Sequence, residues 1–355
     1  METETEMFQR YVLPEVPIPD KVPRFNMEDY IFVKVVGFGG AGDVSKVKKK
    51  STGEFYAIKN IAIFSDELED KQHQKNIQHD MSLATSLDHP NVMRCLGVCT
   101  NESGIYFLYN YMPQNYRRRC VKDESELAKM AYQLLKGLDY LRNEKKLVFK
   151  HLTPGNIFFD PVSQLYKISD VGIVKDKYIT LSYVEVVSSF VRYIAPENYH
   201  PMNHLADLQS DLYGKSDAWS LGLCLLQLYN NGKYPLDPEI AYGYLLSGLY
   251  EKEIAVGDDW PPKPPSDASP PFRDFISSCL QLDVSRRYGV DQLLTHPFPL
   301  LHGFGTIPPP ILLPILSCEG GEPKMKKTRI RFYATCIFTS PLSLMSTLVI
   351  PQLLF

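Results

Sequence analysis

The chain carries no surplus of positive charge. Its 38 Lys+Arg stand against 41 Asp+Glu, a net charge of −3. Such a balance supplies no long-range field for nucleic acid and excludes that class of partner at the level of bulk charge. Basic residues gather only locally, at Lys46, Lys48, Lys49 and Lys50 and again at Arg117, Arg118 and Arg119. The ordinary reading of such runs is a solvated turn or helix face, and the sharper one is contact with an acidic partner. Paired cysteine spacing is also lacking. The 7 cysteines are odd in number and scattered, which excludes a disulfide framework and a zinc ribbon and fits a reducing cytosol. The first ten residues are acidic and have no apolar stretch, so they do not read as a secretory signal.

What is present suits a folded chain. Hydrophobic residues make up 44% and charged residues 22% of the 355, enough apolar matter for a sizeable core. Residues 1–29 are rich in proline and charge and read as an extended leader. From Tyr30 the alternation of apolar residues predicts strands near 30–35, 44–47, 55–61, 96–100 and 105–111, with a polar helix over 65–86. The remainder reads as helical, with helices over 123–142, 217–229, 271–282 and 290–295. Asp123 and Glu126 are placed for a reciprocal cap on the first of these. Residues 299–355 form a tail. Its last part, 332–355, has no charge and follows a basic patch, so a membrane contact is conceivable there; Pro341 and many hydroxyl residues argue against it.

Chemistry enters at Gly37-Phe38-Gly39-Gly40-Ala41-Gly42-Asp43-Val44, a G-x-G-x-x-G-x-V pattern. Its glycines permit a tight hairpin whose amides can approach phosphate oxygens. A dinucleotide fold would open a helix directly after the glycines, whereas here a second strand follows. Downstream lies Tyr56-Ala57-Ile58-Lys59, a lysine near the end of an apolar strand and suited to neutralising α- and β-phosphates. The following helix should supply an acid to Lys59, and the expected slot holds Asp80.

The next signal is Phe149-Lys150-His151-Leu152-Thr153-Pro154-Gly155-Asn156, and beyond it Ser169-Asp170-Val171-Gly172. With these in order, residues 30–298 resemble the eukaryotic protein kinase family. The family motif reads H-R-D-[LI]-K-P-x-N. Anchored on Pro154 and Asn156, the motif's histidine, arginine, aspartate and lysine become Phe149, Lys150, His151 and Thr153. The resemblance implies an α+β, bilobal fold: a small five-stranded N-lobe with one helix (30–112) and a larger, mainly helical C-lobe (113–298). It implies ATP contacts from Gly37, Phe38, Gly39, Gly40, Gly42, Val44, Ala57, Lys59, Asp80, Asn110 and Met112. It also implies magnesium ligands at Asn156 and Asp170, whose oxygen donors suit that hard cation.

Three further motifs strengthen the fold. Ala195-Pro196-Glu197 matches the end of the activation segment, and Arg287 is the expected ion-pair partner of Glu197. Asp217-Ala218-Trp219-Ser220-Leu221-Gly222 matches a buried helix whose aspartate should hydrogen-bond backbone near the catalytic loop. The C-lobe looks most like plant MAP kinase kinases, through 214–222, 272–276 and 293–298. Those kinases precede the domain with a basic docking stretch, whereas only Arg10 stands before Val12 and Leu13 here. In the activation segment Thr180, Ser182, Ser188 and Ser189 are hydroxyls that could carry phosphate, with Lys150 as a point-charge partner.

The departures set the functional expectation. The family's aspartate orients the acceptor hydroxyl and its lysine steadies the transferred phosphate; His151 and Thr153 replace them. Catalysis of phosphoryl transfer is mostly positioning and electrostatics, so losing both groups predicts a fall on the order of 10³–10⁵ in rate. The expectation is a pseudokinase that binds ATP and Mg and acts by shape on another protein kinase or a kinase substrate protein in the cytoplasm. The alternatives are a slow Ser/Thr kinase of MAP kinase kinase type that uses His151, and a domain that no longer holds nucleotide.

Overall fold

The computed structural model describes residues 16–39, 42–61, 71–101, 104–113, 115–117, 119–150, 152–171, 191–198, 214–234 and 261–305. The expected features at His151, Gly40, the four activation-segment hydroxyls and the tail beyond 305 lie outside these residues.

Alternating apolar residues build the N-lobe sheet. Its strands are β1 (Tyr30–Gly39), β2 (Gly42–Lys49), β3 (Phe55–Ile61), β4 (Cys95–Asn101) and β5 (Gly104–Asn110), in the order β1-β2-β3-β5-β4. All neighbouring pairs are antiparallel. The hairpin between β1 and β2 depends on Gly42. Its φ is +126°, and an added Cβ would meet the Asn60 carbonyl oxygen at 1.7 Å. Only glycine fits there.

Helix α1 (Lys71–Ser86) crosses the sheet. Ile77, Met81 and Ala84, spaced four and three apart, form its buried face. Residues 16–26 of the proline-rich leader pack against this lobe. Val16 and Val22 are buried in the same cluster as Ile77, Met81, Val98 and Phe107. Pro17 accepts a hydrogen bond from Gln78 Nε2 at 2.9 Å, and Val98 N donates to the Pro23 carbonyl at 2.8 Å. Residues 16–26 are thus a strap over α1 and β4. Composition marks such a stretch as extended, but the apolar residues that seat it are too few to show as a pattern.

The C-lobe is helical, as expected, around α2 (Glu124–Asn143), α3 (Lys215–Tyr229), α4 (Pro270–Cys279), α5 (Val290–Leu294) and α6 (Pro297–Leu301). Leu127, Ala131, Leu134, Leu138 and Leu141 of α2 are all buried at helical spacing. Each such leucine contributes about 1.5–3 kcal/mol relative to exposure. The expected reciprocal cap does not form. Asp123 accepts from Ser125 N at 3.0 Å, while Glu126 accepts a hydrogen bond from Tyr166 instead. A short hairpin, β6 (Ile157–Asp160) with β7 (Leu165–Ile168), was not expected from the sequence. Packing also runs past residue 298: Phe304 stacks on Tyr132 with centroids 6.5 Å apart.

The lobes meet through residues 91–93 and β7. Met93 N donates to Ile168 O at 2.8 Å, Ile168 N to Asn91 O at 2.9 Å, and the Asn91 side chain to Tyr166 O at 2.9 Å. Arg287 is buried and grips Glu197 with both terminal nitrogens, at 2.6 and 3.0 Å, as the sequence predicts.

Candidate functional site

Strand register fixes the roof of the cleft. On β3, Lys59 lies opposite Val44 of β2 and Phe107 of β5, and Ala57 lies opposite Tyr109. Lys59 is only 5% exposed. Its Nζ sits 2.9 Å from Asp170 Oδ1. A buried ammonium needs such a partner, because stripping its water is otherwise costly. Asp80 is on α1, half-buried, with polar contacts of its own.

The floor comes from residues 149–150 and 152–156. Asp217, at the start of α3, accepts the Phe149 amide at 3.0 Å and the Lys150 amide at 2.6 Å. Both carboxylate oxygens thereby hold backbone, as the sequence predicts for a buried aspartate in that motif. Lys150 adopts a positive φ of 60°, a costly conformation for a side chain of that kind. Next, Thr153 precedes the short turn Pro154–Asn156 and is buried. Ser169 N donates to the Asn156 carbonyl at 2.9 Å. This contact brings Asn156 beside Asp170, whose φ is 65°. Phe149 and Val171 are both buried in the C-lobe cluster.

The donor set of Asn156 and Asp170 is all oxygen and partly exposed, with Asp170's side chain at 31%. Hard divalent cations take such donors together with phosphate oxygens. A magnesium ion therefore fits these residues. Asn110 ends β5, exposed, and Met112 follows half-buried in the segment that joins the lobes.

Tyr109 is a site residue that sequence reasoning missed. It is 7% exposed and lies opposite Cys95. Burial pushes its hydroxyl well above the usual phenol range, and the Cys95 and Asp170 charges add to the shift. Burial likewise pushes the Cys95 thiol up to about 11. Tyr109 is therefore neutral. Its position just before Asn110 was the available signal.

The protein kinase domain family matches residues 30–299. The chain belongs to that family. The kinase domain is also similar to curated MAP kinase kinases. Mitogen-activated protein kinase kinase 2 of Arabidopsis thaliana is 30% identical over 294 residues, 80% of this chain and 77% of that protein. Mitogen-activated protein kinase kinase SIPKK of Nicotiana tabacum is 31% identical over 280 residues, covering 77% of this chain and 74% of its own. The MAP kinase kinase MKK1/SSP32 of Saccharomyces cerevisiae is 30% identical over 291 residues, 77% of this chain and 54% of its own length. The bilobal fold and the MAP kinase kinase resemblance read from the sequence both stand.

Proposed function

We propose that this kinase domain holds ATP and magnesium but transfers phosphate poorly, and that it acts mainly as a nucleotide-responsive binding module. One observation carries the reading. The loop ending at Asn156 lies beside Asp170, yet it offers neutral Thr153 in the slot where the family has lysine, with His151 in the aspartate slot. Lys59 and Asp170 are poised on each other at 2.9 Å, the pair through which Lys59 would meet phosphate and Asp170 the cation. Magnesium, when bound, neutralises phosphate charge. The residues of the chain bind and orient, but supply no lysine at 153.

The relatives are, by name, kinases of mitogen-activated protein kinases. A protein kinase or kinase substrate protein is accordingly the proposed partner, met in the cytoplasm. The Lys59–Asp170 geometry also supports a second reading, a slow Ser/Thr kinase with His151 as base. Thermal unfolding with and without Mg-ATP tests nucleotide binding, since a ligand of the folded state alone raises the melting point. A rise abolished by Lys59→Met is expected. No rise at saturating nucleotide means an inert scaffold. Phosphate transfer by the wild type that disappears in Lys59→Met makes the slow kinase the correct reading.

A further inference from the structure

Strand β1 ends one side of the N-lobe sheet, and among the described residues no strand pairs with its outer edge. Such an edge presents unpaired backbone groups, and folded proteins usually blunt it with charge, proline or a covering segment. From Tyr30 to Gly39 there is no proline, and Lys34 is the only charge. Ile31, Phe32, Val33 and Val35 are between 39 and 61% exposed. The opposite edge of the sheet is treated differently. Residues 23–25 lie along β4. Val98 N donates to Pro23 O at 2.8 Å, Phe25 N donates to Val98 O at 3.3 Å, and Arg24 pairs with Val98 in parallel. One edge is capped by the chain itself, and the other is apolar and open.

The open edge carries opposite charges at a defined spacing. Phe32 lies opposite Val47 and Lys34 opposite Lys46, which are neighbours on β2, so Val33 is an extra residue in a bulge. Two ammonium groups placed opposite each other are unfavourable. Lys46 turns onto the Phe55 and Tyr111 rings, at 3.9 and 4.3 Å from their centroids. Lys34 is exposed and, among the described residues, has no carboxylate partner. Asp29, just before β1, is exposed and equally without a cation. Its carbonyl accepts Lys50 N at 2.8 Å, which carries the ladder with β2 back to this residue. A two-fold axis at Ile31 would set a second β1 antiparallel to the first. Tyr30 of each copy then lies opposite Phe32 of the other, an aromatic cross-strand pair. The bulge at Val33 advances Lys34 by one position, to the level of Asp29 of the second copy and on the same face.

The geometry points to β1 as the contact between two copies of this chain, paired edge to edge in that register. The match of Lys34 to Asp29 is a match of β1 to itself, which is what selects a second copy as the occupant. The pairing is isologous and stops at two, because residues 23–25 cover the β4 edge that a head-to-tail array would need. The strand is short, so the dimer is a weak one, of roughly micromolar affinity. The inference rests on the sheet edge and is independent of nucleotide.

The experiment is sedimentation velocity of the full chain without nucleotide, over a rising concentration series. A reversible monomer–dimer equilibrium with no larger species is expected. Lys34→Asp sets like charges against each other across the two-fold and should weaken the dimer roughly tenfold or more. Asp29→Lys should do the same, and Lys34→Asp combined with Asp29→Lys should recover wild-type association. Phe32→Ser should also weaken the dimer roughly tenfold, through lost apolar burial. Lys75→Asp, an equal charge change on the exposed side of α1, should leave it unchanged. The substituted side chains are all exposed, and melting points at or above that of the wild type will show that the variants fold. A chain that stays monomeric at every concentration overturns the inference and leaves the edge to a strand of another protein. Open-ended growth, a dimer indifferent to Lys34→Asp and Phe32→Ser, or no recovery in the combined variant also overturns it.

Discussion

Lys59 and Asp170 depend on one another. The lysine is almost wholly buried, so removing the carboxylate leaves an ammonium without its 2.9 Å partner. Asp170→Ala is expected to abolish the Mg-ATP shift and to lower the melting point as well, whereas Lys59→Met removes the shift with a smaller stability loss. Differential scanning fluorimetry with and without nucleotide separates the two effects. At the catalytic loop, His151→Asp with Thr153→Lys should restore measurable phosphate transfer. The gain expected is on the order of 10³-fold if only those two groups are lacking. A radiolabelled transfer assay with no signal from the double variant would mean that other parts of the site have decayed too.

One histidine gives a pH signature at the same scale. His89 stacks on Tyr140 with centroids 4.9 Å apart, and its Nδ1 accepts the Asn91 amide at 3.1 Å. Burial, aided by the Lys136 charge, lowers its pKa below the usual imidazole value. In the unfolded chain the imidazole protonates first as pH falls. The unfolded state then binds more protons, and stability declines as pH drops below about 6.5. His89→Gln should flatten that part of the curve in urea melts run across pH.

Elements are held by a few polar anchors. Asp217 ties the start of α3 to the loop before His151 through two amides. Asn offers one acceptor where the carboxylate offers two, so Asp217→Asn should cost about 1–3 kcal/mol by leaving a buried amide unpaired. Chemical denaturation measures this directly. The N-terminal strap makes a second case. Val22→Asp places a charge beside Met81 and Val98 in the lobe's apolar cluster. The expectation is a loss of about 2–4 kcal/mol and faster amide exchange in α1. Exchange unchanged in α1 would show that the strap does not support the helix.

Over the whole molecule, Arg287 links regions distant in sequence. It holds Glu197, donates to the Gln281 carbonyl at 2.9 Å, and lies 4.8 Å from the Trp219 ring centroid. Truncating it leaves Glu197 partly buried without its charge partner, so Arg287→Ala should cost about 3–5 kcal/mol and unfold the C-lobe at lower denaturant. Free thiols at Cys95, Cys99, Cys120, Cys224 and Cys279 supply no cross-link to offset such a loss. Among the described residues no helix is long and apolar enough to cross a membrane, and no group of three metal-ligating acids, histidines or cysteines occurs.

Motifs written in short, contiguous stretches were legible from the sequence: the glycine hairpin, Lys59, Asp170, Asp217 and the Glu197–Arg287 pair. Each follows from residue types whose chemistry is local or whose spacing the fold family fixes. The helical period of α2 and the alternation of the N-lobe strands were legible for the same reason. Tertiary structure decided what depends on residues meeting from afar. It turned Glu126 away from its cap toward Tyr166, folded residues 16–26 onto α1, paired β6 with β7 and buried Tyr109 opposite Cys95. Side chains choose among competing partners only when the chain is compact, and no periodicity along the sequence carries that choice.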